Sequence, residues 1–112
     1  MDILYEDNHL LVVNKPAGQL VQGDQTGRGT LLEKAKAWIK ETRNKPGAVY
    51  LGLVHRLDRP ASGVVALART SKAASRLSDQ FRKHEPTKVY WAIVEGKTPA
   101  SGSWTDHLER RE

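Results

Sequence analysis

Two short apolar runs open the chain, and the polar residues between them are typical of a tight turn. The runs are Ile3–Tyr5 and Leu10–Val13, and residues 6–9 between them read Glu-Asp-Asn-His. Asp and Asn side chains hydrogen-bond their own backbone and tolerate turn conformations. The pattern therefore predicts a β-hairpin, which ends near Pro16 because proline cannot donate to a strand ladder.

A helical pattern follows from residue 30. Thr30 and Glu33 match a capping box at its start, and residues 44–47, Asn-Lys-Pro-Gly, are typical of a helix end. Apolar residues recur at the spacing of one helix face, while the charged residues fall outside it. We predict an amphipathic helix of about four turns, with an apolar face made of Leu31, Leu32, Ala35, Trp38 and Ile39.

Two further apolar runs flank the sequence HRLDRPASG at residues 55–63. They are Ala48–Val54 and Val64–Ala68, and both are predicted strands. From Ser71 to His84 an apolar face and a basic face alternate with the helical period, so we predict a second helix with one face on the core. The apolar face comprises Ala74, Leu77, Phe81 and His84, and the opposite face comprises Lys72, Arg76, Asp79 and Lys83.

Residues 88–95, Lys-Val-Tyr-Trp-Ala-Ile-Val-Glu, alternate with period two and are mostly apolar on both sides. Such a strand is predicted to lie in the middle of a sheet, with other elements packed on each face. Ser103–Leu108 alternates more weakly and is a candidate last strand. The order of elements predicts an α+β domain with a mixed, mainly antiparallel sheet and two amphipathic helices.

Composition narrows the class of protein. The 112 residues fit one domain, and 28% of them are charged. The N-terminus is acidic where a signal peptide is basic, and no apolar run approaches a membrane span, so we expect a soluble, cytoplasmic protein without a membrane partner. The formal charge of +5 suits a polyanionic partner.

Several other kinds of site are disfavoured by the sequence. There is no cysteine, and the four histidines lack metal-ligand spacing, so no metal site is expected and each histidine is predicted at a turn, an edge or the surface. The glycine-rich residues 23–30 lack the Lys-Ser/Thr end of a P-loop and the G-x-G-x-x-G spacing, so nucleotide binding is disfavoured. The sequence still permits an unspecific phosphate contact at the N-terminus of the first helix. Ser62 lacks the glycine pattern of a serine nucleophile.

Basic residues supply candidates for contacting a phosphate backbone. Arg56, Arg59 and Arg69 are predicted to cluster near one end of the sheet and to form a positive rim with the second helix. Alternatively, the basic face of the second helix is an ordinary solvated surface that binds no phosphate. The candidates for backbone contact are Lys15, Arg69, Lys72 and Arg76.

The stretch HRLDRPASG places one carboxylate, Asp58, between two guanidinium groups and follows it with Pro and Gly. A local ion pair of Asp58 with Arg56 or Arg59 is one reading. The stretch also resembles motif II of the RluA-type pseudouridine synthase family. Residues 14–18, Asn-Lys-Pro-Ala-Gly, resemble that family's first motif, and residues 88–96 resemble its Lys-x-Tyr strand.

The resemblance implies an enzyme that isomerises a uridine in ribosomal or transfer RNA without a cofactor. On this basis Asp58 matches the catalytic aspartate, Tyr90 the residue that stacks on the target base, and Lys88 the basic residue of that strand. Arg59 is expected to handle the flipped nucleotide or its gap in the helix, and Arg56 is a further candidate for substrate binding. Asp58 either attacks C1′ or takes a ribose proton, and both roles need an ionised carboxylate in a partly closed pocket.

The family's third motif, a later Gly-Arg-x-His-Gln-like segment, is missing, and Arg110 and Arg111 do not match it. We therefore expect residues 1–112 to be a partial synthase catalytic domain with its C-terminal part missing and with little isomerase activity alone. The full-length protein is expected to be monomeric. The fragment is expected to self-associate through exposed apolar residues, the candidates being Trp91, Ile93 and Trp104.

Two other functions compete with this interpretation. A non-catalytic RNA-binding module could have the same fold and basic rim. A glycosidase acting on small sugars would need a second carboxylate across the cleft, and Glu85 and Glu95 are the candidates in the sequence.

Overall fold

The protein forms one antiparallel sheet with two helices in a computed structural model, which describes residues 1–23, 29–103, 105–106 and 108. The strands lie in the spatial order β1-β2-β4-β3, and all their pairings are antiparallel. The predicted α+β class is confirmed, with a purely antiparallel sheet. The elements are β1 Ile3–Glu6, β2 Leu10–Lys15, α1 Leu31–Thr42, β3 Gly52–Leu53, β4 Gly63–Ala68 and α2 Ser71–Arg82.

The predicted hairpin of β1 and β2 is confirmed, and Asp7 holds its turn. The Asp7 carboxylate accepts hydrogen bonds from the backbone N–H groups of His9 and Leu10, both at 2.7 Å. The Tyr5 hydroxyl donates to the same carboxylate at 2.8 Å. These donors stabilise the charged form, and the hydrogen bonds from His9, Tyr5 and Leu10 lower the pKa of Asp7.

Helix α1 covers one face of the sheet, as its apolar pattern predicts. The Thr30 hydroxyl accepts the Glu33 N–H at 3.2 Å and caps the helix. Because side chains alternate along a strand, every second residue of the two central strands faces the helix. The buried cluster joins Leu31, Ala35 and Ile39 of α1 to Leu11, Val13, Val65 and Leu67 of β2 and β4.

Helix α2 packs beside β3 and β4, and a glycine permits the close approach. A Cβ added at Gly52 would lie 2.9 Å from the Ala74 Cβ, so a larger residue there would push the helix away. Leu77 and Phe81 are partly buried, in agreement with the predicted core face. His84 is exposed and has a φ of 57°, so its assignment to that face is wrong, because the helix ends before it.

Two predicted strands differ from the structure. Of Ala48–Val54, only Gly52 and Leu53 pair with β4. Residues 88–95 join no strand, and the side chains of Trp91 and Ile93 are 97% and 104% exposed. Their apolar pattern predicted a central strand, but a strand forms only where a neighbour accepts its backbone hydrogen bonds, and none lies alongside this segment within the described residues.

The predicted last strand is also absent from the part of 103–108 that the structure describes, while Trp104 and His107 lie outside the described residues. Within the described residues, no helix is long and apolar enough to cross a bilayer.

Candidate active site

Asp58 lies in the loop between β3 and β4, with its side chain in solvent. The preceding Leu57 packs against the buried cluster, whereas Asp58 is exposed. The Ala61 N–H donates to the Asp58 carbonyl at 3.0 Å and closes a turn directly after the carboxylate. The inward-facing Leu57 and the turn together place Asp58 on the surface, near the start of β4.

The first and second sequence motifs meet at this turn. Lys15, the last residue of β2, is fully buried, and its Nζ donates to the carbonyls of Pro16 at 3.1 Å, Gln19 at 2.7 Å and Arg59 at 3.1 Å. The Gly18 N–H also donates to the Arg59 carbonyl at 2.7 Å, and Arg59 Nε donates back to the Gly18 carbonyl at 3.1 Å. The lysine therefore fastens the loop after β2 to the loop that carries Asp58.

The Lys15 ammonium also places a positive charge beneath the candidate catalytic carboxylate. Burial lowers the pKa of Lys15, and the negative charge of Asp58 opposes part of that fall. The prediction that Lys15 contacts an RNA backbone is wrong, because its Nζ is enclosed by three carbonyl groups and the side chain is 0% exposed.

Arg56 and Arg59 are both exposed and flank Asp58 in the loop. No ion pair joins either guanidinium to Asp58 within the residues that the structure describes. Arg59 bonds the Gly18 carbonyl instead. The simple reading of the stretch as a local salt bridge is therefore not supported, and Asp58 faces solvent with its charge unpaired in the described region.

His55 has a structural position that the sequence did not indicate. Its Nε2 accepts the Ala66 N–H at 2.9 Å, and its ring stacks on Phe81 with centroids 4.6 Å apart and an interplanar angle of 14°. Lys88 Nζ lies 5.5 Å from the centroid of the same Phe81 ring, within cation–π range. Of the turn, edge or surface positions predicted for His55, the surface position does not apply, because the residue is half-buried between β4 and α2, just after the edge strand β3.

The predicted cluster of Arg69 with Arg56 and Arg59 is wrong. Arg69 follows the end of β4 and Arg59 precedes its start, so a six-residue strand, about 20 Å long, separates them. Arg69 Nη1 donates to Glu6 Oε2 at 3.0 Å and to the Asp7 carbonyl at 2.7 Å, and its side chain is 12% exposed. Its role is to join β4 to the hairpin, which removes it from the candidates for phosphate contact.

The remaining candidates lie on exposed surface. Lys72 and Arg76 project from α2, whereas Lys83 at the C-terminal end of this helix pairs with Asp79 at 2.9 Å. The Tyr90 side chain is 70% exposed in the extended segment 88–95. Phe81 brings Lys88 to the side of the sheet where His55 begins the Asp58 loop.

The described residues do not enclose Asp58 in a pocket. A cavity of about 350 Å³ beside the loop is lined by Gln22, Leu53, Val54, His55 and Arg56, and a larger one of about 590 Å³ lies against α1. Neither is lined by Asp58. The expected partly closed pocket is therefore not formed by these residues, and Asp58 stands on an open surface.

Residues 9–112 match the model of the RNA pseudouridylate synthase family, which covers most of the chain. The match, together with the α+β fold, places the chain in a class of proteins that modify RNA, and this chain belongs to the RNA pseudouridylate synthase family. The resemblance to RluA-type enzymes is confirmed by relatives among the ribosomal large subunit and tRNA pseudouridine synthases.

The chain is similar to tRNA pseudouridine synthase C of Pectobacterium carotovorum subsp. carotovorum, with 43% identity over 86% of this chain and 24% of the relative. It is 38% identical to ribosomal large subunit pseudouridine synthase C of Escherichia coli K12 over 96% of this chain and 30% of the relative. The structure of human RNA pseudouridylate synthase domain containing 4 matches with a TM-score of 0.63 and 30% identity, covering 75% of this chain and 30% of that one. The chain thus spans about a quarter to a third of the length of these proteins.

Proposed function

We propose that the chain is part of the catalytic domain of an RNA pseudouridine synthase acting on ribosomal or transfer RNA, with Asp58 as its essential carboxylate. The observation that carries the proposal is the placement of Asp58: exposed at a turn, over the buried ammonium of Lys15, which fastens the first motif to the second. A cytoplasmic location is part of the proposal, since such RNAs are its substrates. The experiment that tests it replaces Asp58 by alanine and counts pseudouridine in RNA.

The chemistry requires an anion at the sugar. The N1–C1′ bond of uridine breaks, the uracil turns, and C5 bonds to C1′, while the proton lost from C5 is balanced by one gained at N1. As the first bond breaks, the sugar gains oxocarbenium character, which a fixed carboxylate stabilises. The product has the same atoms as the substrate, so the proposed reaction requires no cofactor or co-reactant.

The exposed residues around Asp58 fit a nucleotide that has left its stack. Extruding a base costs a few kcal/mol, which stacking on an aromatic ring and phosphate contacts can offset. Tyr90 supplies an exposed ring, and the guanidinium groups of Arg56 and Arg59 flank the carboxylate. Lys88, held over Phe81, adds a positive charge on the same side.

We expect Lys72 and Arg76 on α2 to contribute phosphate contacts. Alanine at both positions should weaken RNA binding and reduce the slope of log K against log salt by about one to two, because each released phosphate contact contributes about one. Filter binding or fluorescence anisotropy over a salt series measures this. Lys34→Ala together with Lys40→Ala, on exposed positions of α1, is the matched control. An equal loss of slope in both pairs would show that the positive charge acts without regard to place.

We further propose that the longer protein is monomeric, whereas the 112-residue chain self-associates through residues 88–95. These residues are rich in strand-forming side chains, and the largest of them, Trp91 and Ile93, are almost fully exposed. Two copies that pair antiparallel about a two-fold axis can place Lys88 opposite Glu95 at both ends, with apolar residues between.

Reversing one charge is expected to weaken this association. Lys88→Glu puts two carboxylates opposite each other at both ends, and at about 0.2–1 kcal/mol for each cross-strand pair the dimer should dissociate several-fold more readily. Adding Glu95→Lys should restore the dimer, whereas Lys34→Glu on α1 should leave it unchanged. Sedimentation velocity over a concentration series checks these outcomes. A native chain that stays monomeric at high concentration would contradict the proposal.

A further inference from the structure

The imidazole of His55 occupies a position that a strand carbonyl would otherwise fill. β3 pairs with β4 through Gly52 opposite Ala68 and Leu53 opposite Leu67. One more residue in that register would set Val54 opposite Ala66, but β3 ends at Leu53. The Ala66 N–H is instead donated to His55 Nε2 at 2.9 Å. The ring thus satisfies a donor of β4 at the point where the main chain leaves the sheet toward Asp58.

Helix α2 holds this ring from the other side. Phe81 stacks on it at 4.6 Å, and Lys88 Nζ lies 5.5 Å from the Phe81 centroid. Because Nε2 is an acceptor, the neutral ring carries its proton on Nδ1. Burial lowers the pKa of His55, and the positive charge of Lys88 lowers it further, so the ring keeps its acceptor at neutral pH.

We propose that His55 is a positioning residue for Asp58, acting through its hydrogen bond to Ala66 and its stack on Phe81. This inference rests on the proposed synthase function. The loop that carries Asp58 starts at His55, so a ring fixed on two sides sets the direction in which the loop departs. Phe81 also contacts Lys88. The Phe81 ring therefore links the second motif, through His55, to the Lys-x-Tyr segment, through Lys88.

The test compares three variants in the full-length protein with RNA as substrate. His55→Ala should lower kcat by about 10- to 100-fold, because a displacement of about 1 Å in a reacting group can cost that much. KM should stay unchanged, since the groups proposed to bind RNA are intact. His55→Gln should recover most of kcat, because its amide oxygen can accept the Ala66 N–H. His9→Gln, at an exposed histidine in the turn between β1 and β2, is the control and should change neither constant.

A pH profile separates this role from a merely structural one. The charged groups that the structure places near His55 are Lys88, through Phe81, and Arg56, which lines the same cavity; burial and the charge of Lys88 oppose protonation. The folded-state pKa is below the ordinary value of about 6.5. Protonation removes the acceptor, so kcat should fall as pH drops through the folded-state pKa. His55→Gln has no group that titrates there and should lose this part of the profile.

The outcomes distinguish this inference from the function on which it rests. If Asp58→Ala abolishes product while His55→Ala keeps native kcat, the positioning role is overturned and the synthase function stands. If product survives Asp58→Ala, the function itself is overturned. Should His55→Ala not fold, Phe81→Leu removes the stack but keeps an apolar side chain, and it should lower kcat. An unchanged kcat in Phe81→Leu, or no recovery in His55→Gln, overturns the inference.

Discussion

Pseudouridine formation is expected to fall by at least about a thousandfold when Asp58 is replaced by alanine in the full-length protein. Removing one preorganised charge-stabilising group costs about 100- to 1000-fold in other enzymes, and in the proposed function the same group is also the nucleophile or base. Asp58→Asn keeps the shape of the side chain but removes its charge, so it should be nearly as inactive. Single-turnover assays on unmodified RNA measure the rate.

The controls separate catalysis from folding and from RNA binding. Glu41→Gln removes an exposed carboxylate on α1 and should leave the rate unchanged. RNA affinity and its salt dependence should be nearly native in Asp58→Asn, because Asp58 is exposed and bonds no described basic residue. The 112-residue chain alone should show little turnover, since it leaves Asp58 on an open surface. Undiminished product with Asp58→Ala would favour a non-catalytic RNA-binding module instead.

Replacing Lys15 by methionine is expected to lower the free energy of unfolding by about 2–6 kcal/mol, because the carbonyl groups that accept hydrogen bonds from its ammonium lose that donor. Methionine fills similar space but donates no hydrogen bond. The carbonyls of Pro16 and Gln19 would then lose this donor, at about 1–3 kcal/mol for each that stays buried and unsatisfied, whereas the Arg59 carbonyl would keep the Gly18 N–H. Urea unfolding followed by tryptophan fluorescence gives the difference.

A matched lysine provides the control for this variant. Lys34 lies on exposed α1 surface, and Lys34→Met should change stability by less than about 0.5 kcal/mol. If Lys15→Met costs less than about 1 kcal/mol, the three carbonyls have found other partners, and the lysine does not fasten the two motifs. Activity should also drop in Lys15→Met, because the Arg59 carbonyl beside Asp58 loses one of its two donors and keeps only the Gly18 N–H.

Local patterns predicted the elements that short-range forces stabilise. The hairpin follows from two strand-like runs and an Asp-Asn turn, and Asp7 indeed caps that turn. Both helices begin after a threonine whose hydroxyl accepts an N–H in the first turn, Thr30 in α1 and Thr70 in α2. The two partners in each of these contacts lie within a few residues of each other, so a short stretch of sequence contains both.

One long-range feature had a usable signal. The period of two along β2 places Lys15 on the same face as Leu11 and Val13, which are fully buried. That alternation indicated a buried lysine, and a buried ammonium needs hydrogen-bond acceptors. Its acceptor on Arg59 is 44 positions away, so the partner could not be read from the pattern.

The positions of the other polar groups depend on how distant segments meet. Arg59 and Arg69 are close in the sequence, but β4 lies between them, so the two residues are at opposite ends of that strand. His55 had no neighbour in sequence that explains it, because Ala66 and Phe81 reach it from other elements. Residues 88–95 have the alternation of a central strand yet lie in water.

Side-chain periodicity and turn chemistry were therefore enough to specify the hairpin, the two helices and the core face of α1, whereas the motif that contains Asp58 was identified by its resemblance to a family motif. Pairing between strands, the burial of Lys15 under the Asp58 loop and the His55 contact arose only in the folded molecule. The reason is physical: a hydrogen bond or ring stack between residues far apart in the sequence depends on the geometry of the whole sheet. Local conformational preferences do not specify which distant residues come into contact.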